Sequence, residues 1–396
     1  MTRTDAIRLH LNDPQVRRRA YDQPQARVMS RATRSVARQA ITCWPDYGPT
    51  PLVNLSGLAS RLGIGGLRIK YEGHRFGLGS FKALGGAYGV LRVLSRETGR
   101  TMDDIMAGRA RDAVAGVTVC CATDGNHGRA VAWGAGLAGA RSVIYLHDHV
   151  SQGREDAIAA YGADIMRVNG TYDDSVLKAA EDARSRGWIV LSDTSWPGYE
   201  DIPSWVMQGY TVMMNEAMEQ MAARRPSHVF IQAGVGGLAA AVAGPMWEDW
   251  GSARPLTVVV EPHEADCVYQ SAVHGHPTVG SGSLDTVMAC LSAGTMSPLA
   301  WDILECGADA FVTIADRYSP QAMVTLANDA ETPLVVGESG AAGLAGLLAA
   351  LEESDVGQAL GLDRASDVLL VASEGATDPE IYTRIVGRRP EEVSGG

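Results

Sequence analysis

Lysine is nearly missing from this 396-residue chain: of 34 basic residues only Lys70, Lys82 and Lys178 are lysine, and the rest are arginine. A guanidinium stays charged and is a poor nucleophile, so any chemistry needing a free amine has few places to reside. Cysteine is also sparse. The six (Cys43, Cys120, Cys121, Cys267, Cys290, Cys306) include no CxxC pair. The paired spacing of the common zinc modules is thus absent, and the expected setting is a reduced cytoplasm, although Cys267 and Cys290 could approach each other in the fold. No run of 18 apolar residues is present, so no membrane span is expected, and the N-terminus lacks the apolar core of a signal peptide. Positive charge is in deficit as well. The net charge of −12 argues against general nucleic-acid affinity.

What is present reads as a soluble globular chain, 46% hydrophobic and 20% charged. The charge is uneven. Residues 1–45 hold nine Arg against three Asp, a net +6, which leaves −18 for the remainder. This basic arm, with Arg17, Arg18 and Arg19 in a row, is expected to be helical and to pack on the acidic body or on a second subunit. From about residue 66 apolar runs alternate with helical stretches. GLRIKYEG, VTVCCATD, RSVIYLHDHV, ADIMRVNG, WIVLSDT, HVFIQAG, LTVVVEP, AFVTIAD and DVLLVASEG read as strands. TYDDSVLKAAEDARSRG reads as a helix with Asp173 or Asp174 in its first turn. Alternation of this kind implies an α/β fold with mostly parallel sheets flanked by helices. Such sheets bind ligands beyond the carboxyl ends of their strands, so site residues should follow strands.

Several loops meet that test. Lys82 lies in HRFGLGSFKALGGAYGV, an aromatic and glycine-dense stretch; its amine suits a Schiff base with a carbonyl cofactor, or it snorkels from a helix end. Gly234, Val235, Gly236, Gly237 and Leu238 follow HVFIQ and lead into a small-residue helix, as in a phosphate cradle, although tight packing also selects such glycines. Thr123, Asp124, Gly125, Asn126 and His127 form a polar turn before a helix, suited to a carboxylate or to simple capping by Asp124 or Asn126. Asp193 ends a strand near Trp196, Tyr199 and Trp205, where desolvation should raise its pKa and suit it to proton transfer; the alternative, and the commoner case for an isolated Asp, is an ordinary turn residue. Ser373 and Thr377 are hydroxyls at the end of DVLLVA. GESGAAGLAGL opens another small-residue helix.

In this order the motifs resemble the fold type II pyridoxal-phosphate enzymes, and among them the diaminopropionate ammonia-lyases. The resembling stretches run from about residue 38 to residue 386 and include YGPTPLVNLSGLA, ATDGNHGRAVAWGA, DTSWPGYEDIPSWVMQGY and SEGATDPE. The resemblance implies that Lys82 holds pyridoxal 5'-phosphate as a Schiff base. It implies that residues 234–238 bind the phosphate, that Asn126 meets the phenolic oxygen, and that Ser373, or else Thr377, meets the pyridine nitrogen. The turn Thr123–His127 would take the substrate carboxylate. Asp124 would remove the α-proton of the D-isomer and Lys82 that of the L-isomer, while Asp193 would bind or protonate the departing β-amino group.

The implied reaction is α,β-elimination of 2,3-diaminopropionate to pyruvate and two ammonia. The alternatives are another pyridoxal-phosphate β-elimination or β-replacement enzyme, of the serine/threonine dehydratase type or in a specialised pathway, and a non-catalytic homologue. FGLGSFK departs from the family's usual Asn-Ala at Gly79-Ser80, which bears on the substrate pocket. The expected division is a large domain of residues 1–90 and 210–396 and a small domain of 91–209 inserted in the middle, with the cofactor between two lobes. A homodimer is implied; a metal ion, nucleic acid and membrane are not.

Overall fold

The computed structural model describes residues 2, 3, 5–123, 125–148, 150–222 and 224–394. Two compact units divide the chain. One comprises Met1–Arg31, Pro49–His74 and Met213–Gly396; the other comprises Ala32–Gly48 and Arg75–Val212. The second thus takes in more than residues 91–209, adding the helix that begins at Lys82. The strands in chain order are β1 (Thr2–Arg3), β2 (Ile7–Leu11), β3 (Leu52–Asn54), β4 (Gly66–Tyr71), β5 (Thr118–Ala122) and β6 (Arg141–His147). There follow β7 (Asp164–Val168), β8 (Ile189–Val190), β9 (His228–Gln232), β10 (Leu256–Pro262), β11 (Ala310–Ile314) and β12 (Asp367–Ala372).

The first unit holds an eight-stranded sheet in the order β1-β2-β11-β10-β9-β12-β4-β3. Its five inner strands, β11 to β4, are parallel. Strands β9 to β12 are buried at every position but Leu256, which opens β10, and this is why they read as apolar runs, as parallel strands covered on both faces do. The edges are antiparallel, β3 on β4 and β2 on β11. The basic arm therefore corrects the helical expectation, because part of it extends the sheet. Its arginines dock on acids of the same unit: Arg17 Nη1 lies 2.7 Å from Asp309, Arg31 Nε 2.6 Å from Asp249 and Arg27 Nη2 3.3 Å from Asp302. Chain order fixes the ligand position. From β9 the chain builds outward through β10 and β11, then returns to place β12 on the other side of β9. The reversal puts a topological switch point between β9 and β12, where open sheets bind ligands.

The second unit repeats that logic. Its four-stranded parallel sheet runs β7-β6-β5-β8, so the chain steps outward from β5 and then crosses back to set β8 against β5. Two helices, Lys82–Thr98 and Asn126–Ala138, pack with almost no space between their backbones. A Cβ on Gly86 would come within 2.7 Å of Ala130 Cβ, and one on Gly134 within 2.6 Å of Ala87 Cα. The close approach sets Gly86 and Ala87 of the first against Ala130 and Gly134 of the second, and the starts of both helices lie near Asp193, which faces Lys82 and His127. Lys82 and Asn126 are consequently brought to the same end. The helix Tyr172–Arg186 opens with a reciprocal cap between Thr171 and Asp174, as its acidic first turn leads one to expect.

Candidate active site

Three side chains meet at the switch point of the smaller sheet. Lys82 is the first residue of its helix, and its Nζ donates to Asp193 Oδ2 at 2.5 Å. Both side chains keep about a fifth of their surface exposed, 20% and 21%. Asp193 is delivered by the chain just past β8. There Leu191 N makes the last link to the sheet, to Cys120 O at 2.7 Å, and the Tyr199 hydroxyl pins the turn, accepting from Ser192 N at 2.9 Å and donating to Val190 O at 2.8 Å. The third member is His127. Its Nε2 lies 2.9 Å from Leu191 O, and a carbonyl only accepts, so Nε2 carries the hydrogen. Nδ1 is left as a buried lone pair without a hydrogen-bond partner, 3.9 Å from Asp193 Oδ2. Phe81 and Tyr210, 4.6 Å apart, wall the amine, with ring centroids 5.4 and 5.8 Å from Nζ.

The electrostatics correct one expectation. Burial does oppose ionisation of Asp193, but the Lys82 ammonium, with a smaller contribution from His127, outweighs it and holds the carboxyl well below its ordinary range. The aromatic rings do not set its charge: Trp196 stacks on Tyr199 at 4.0 Å, and Trp205 faces Arg92 and Arg96. His127 is pushed down, by burial first and by Lys82, against the pull of Asp193, so the imidazole is neutral at neutral pH. Burial raises the Tyr210 phenol and Lys82 partly offsets it.

In the polar turn, Thr123 is the cap: its Oγ1 accepts from Gly125 N at 3.1 Å and Gly128 N at 3.2 Å. Its oxygen is thus spent on shaping the turn that leads into the helix. Asn126 is almost fully buried at the helix start. Asp124 lies outside the described residues. Gly79 adopts φ +78°, a conformation open to glycine and asparagine. Glycine in place of the family's asparagine therefore keeps the backbone course that delivers Lys82.

At the other switch point, β9 runs into Gly234, Val235 and Gly236, and the helix Gly237–Trp250 follows. Gly236 has φ +96°, and a Cβ there would meet Met296 Cε at 2.9 Å and Ala300 Cβ at 3.0 Å. No side chain among the described residues caps this helix, which leaves its first N–H groups without a side-chain acceptor, as an anion-binding helix start requires. Val235 O accepts from Ser297 N at 3.0 Å, which fixes the loop from behind. Ser373, buried just past β12, accepts from Gln232 Nε2 at 2.9 Å, whereas Thr377 turns its hydroxyl to Glu374 Oε2 at 3.4 Å. Of the two hydroxyls, Ser373 keeps its hydrogen uncommitted. Cys267 and Cys290 are free thiols that contact Gly234 O and Glu374 Oε2. The sequence reading passed over Gln232 and Tyr210. A polar residue ending a fully buried strand directly before a glycine loop was the available signal for the first; nothing marked the second.

The family described as "Pyridoxal-phosphate dependent enzyme" matches residues 43–374. The chain belongs to this family, and pyridoxal 5'-phosphate is its cofactor. Within the family it is similar to the diaminopropionate ammonia-lyases. It is 39% identical to that of Salmonella typhimurium over 86% of this chain and 89% of the relative, and 37% identical to that of Escherichia coli K12 over 91% and 92%. The crystal structure of the E. coli diaminopropionate ammonia-lyase with an aminoacrylate-PLP azomethine reaction intermediate superposes with a TM-score of 0.87, at 34% identity and 97% coverage of both chains. Tomato threonine deaminase, at 22% identity and a TM-score of 0.74, shares the fold. The side chains present fit the cofactor: a lysine amine at a helix start, an uncapped glycine-led helix where a Cβ would intrude, and a buried hydroxyl with a free hydrogen.

Proposed function

We propose that this chain is a carbon–nitrogen lyase that eliminates the β-amino group of 2,3-diaminopropionate, giving pyruvate and two ammonia. The observation that carries the reading is the 2.5 Å ion pair between Lys82 and Asp193. It marks a carboxylate built to receive an ammonium beside the reactive amine. A hydroxyl substrate gives that carboxylate no cation to pair with; a second amino group does.

Bound pyridoxal 5'-phosphate supplies a carbonyl that captures amines and a ring that delocalises charge from the substrate α-carbon. In our assignment Lys82 holds it. The N–H groups from Gly234, Val235, Gly236, Gly237 and Leu238 take its phosphate, Asn126 its phenolic oxygen and Ser373 its ring nitrogen. The turn Thr123–His127 binds the substrate carboxylate. Lys82, released as a neutral amine, accepts the α-proton of the L-isomer, and Asp124 that of the D-isomer from the opposite face. Asp193 keeps the β-amino group protonated, as a leaving group must be. When Lys82 is uncharged, the interaction that depresses Asp193 is gone; its pKa rises and it can carry a proton. His127, neutral with Nδ1 facing Asp193, accepts a hydrogen bond from the bound ammonium.

No helix among the described residues is long and apolar enough to cross a membrane. Six free cysteines support a cytoplasmic setting, and the homodimer rests on the family resemblance.

The test is product analysis of the cofactor-loaded protein with D- and L-2,3-diaminopropionate, using serine and threonine as controls. Two ammonia per pyruvate from the diamino acid, with slower turnover of serine, is expected. Bound cofactor without diaminopropionate turnover would overturn the reading.

A further inference from the structure

The larger sheet's switch point contains a polar device that the cofactor assignments do not use. The last paired rung between β9 and β12 joins Phe230 to Leu370. Beyond it, the side chain of Gln232 continues the link. This fully buried amide donates through Nε2 to Val371 O at 3.0 Å, with Gly340 O at 3.3 Å and Ser373 Oγ at 2.9 Å. Two backbone carbonyls fix its orientation, because the flipped amide would point oxygen at both. The NH2 group therefore faces Ser373. Oε1 is left buried with no hydrogen-bond partner, an arrangement that costs stability.

A hydroxyl that accepts from an amide N–H must aim its own hydrogen elsewhere. No acceptor among the described residues takes the Ser373 hydrogen. We propose that Gln232 is a positioning residue that makes Ser373 a hydrogen-bond donor to the pyridine nitrogen. It thereby holds that nitrogen in its unprotonated, accepting form. Without Gln232 the hydroxyl is free to rotate and to accept from a protonated ring. The residue also stands two positions before Gly234, so one side chain ties the residue that meets the ring nitrogen to the strand that feeds the phosphate loop.

This inference rests on the assignment of Ser373 to the ring nitrogen, and the test separates the two. The full-length protein is loaded with pyridoxal 5'-phosphate or with its 1-deaza analogue, which carries C–H in place of the ring nitrogen. Dissociation constants and visible spectra are compared for the wild type, Ser373→Ala and Gln232→Met, which preserves volume while removing the donor. The wild type should prefer the natural cofactor by about tenfold, the worth of one buried hydrogen bond. In Gln232→Met that ratio should fall toward one, as in Ser373→Ala, with the spectrum shifting in the same direction. Gln232→Asn, too short to reach the hydroxyl, is the second variant and should behave alike. A wild type indifferent to the ring nitrogen would overturn the Ser373 assignment and the inference with it. Wild-type discrimination retained in Gln232→Met or Gln232→Asn would overturn the inference alone.

Discussion

Each of the three lysines has a different fate, and the differences follow from what surrounds the amine. Lys178 pairs with Asp182 at 2.8 Å one turn along a surface helix, an interaction of the usual small worth. Lys70 is fully buried and donates to Thr50 O at 2.6 Å, Glu216 Oε2 at 2.7 Å and Gln220 Oε1 at 3.1 Å. Lys70→Met would leave Glu216 buried without that cation. Stability is expected to fall by about 3–5 kcal/mol, read by urea unfolding. Lys82 alone joins partial exposure to a helix start at a switch point. Lys82→Ala should remove the visible band of lysine-bound cofactor and lower turnover by about 10²–10⁴-fold or more. The Lys82–Asp193 pair also carries a pH signature. The Asp193 carboxyl is depressed in the folded state below its ordinary 3.8. Its contribution to stability is therefore full above that value and is lost as pH falls through the lower, folded value. Acid unfolding of the cofactor-free protein should be less pH-dependent in Asp193→Asn than in the wild type.

Helices and loops decide where these residues can act. The helices Lys82–Thr98 and Asn126–Ala138 approach closely because Gly86 and Gly134 carry no side chain, so two glycines outside the polar cluster help to set the spacing of Lys82 from His127. At the phosphate loop, Gly236→Ala meets both a positive φ, costing about 1–2 kcal/mol, and Met296 and Ala300 in its way. Weaker cofactor binding, by about tenfold or more, is expected from a titration. All nine strands from β4 onward were legible: β9 to β12 read as continuous apolar runs because they are buried almost throughout, whereas β7, DIMRV, is exposed along much of its length and shows a mixed pattern. β2 was not. Its IRLHL alternates between buried and exposed at a sheet edge, inside a basic stretch that reads as a helix. β8 was legible in place but not in length, because the chain leaves the sheet after Val190 to deliver Asp193.

On the scale of the whole chain, each sheet has its own switch point. Lys82, Asp193 and His127 follow one; the glycine loop and Ser373 follow the other. The rule that ligands lie beyond strand ends made these loops readable before any coordinates. The charge of Asp193 and the choice of Ser373 over Thr377 were not readable, since both depend on neighbours distant in sequence: Lys82 for the first, Gln232 and Glu374 for the second. In the proposed reaction Asp193 is the residue that recognises a second amino group. The most direct test of that role is the ratio of kcat/KM for 2,3-diaminopropionate to that for serine, in the wild type and in Asp193→Asn. Loss of a charge-assisted hydrogen bond should lower that ratio by about 10- to 100-fold, with the cofactor still bound. An unchanged ratio, with both substrates slowed alike, would contradict the role given to Asp193.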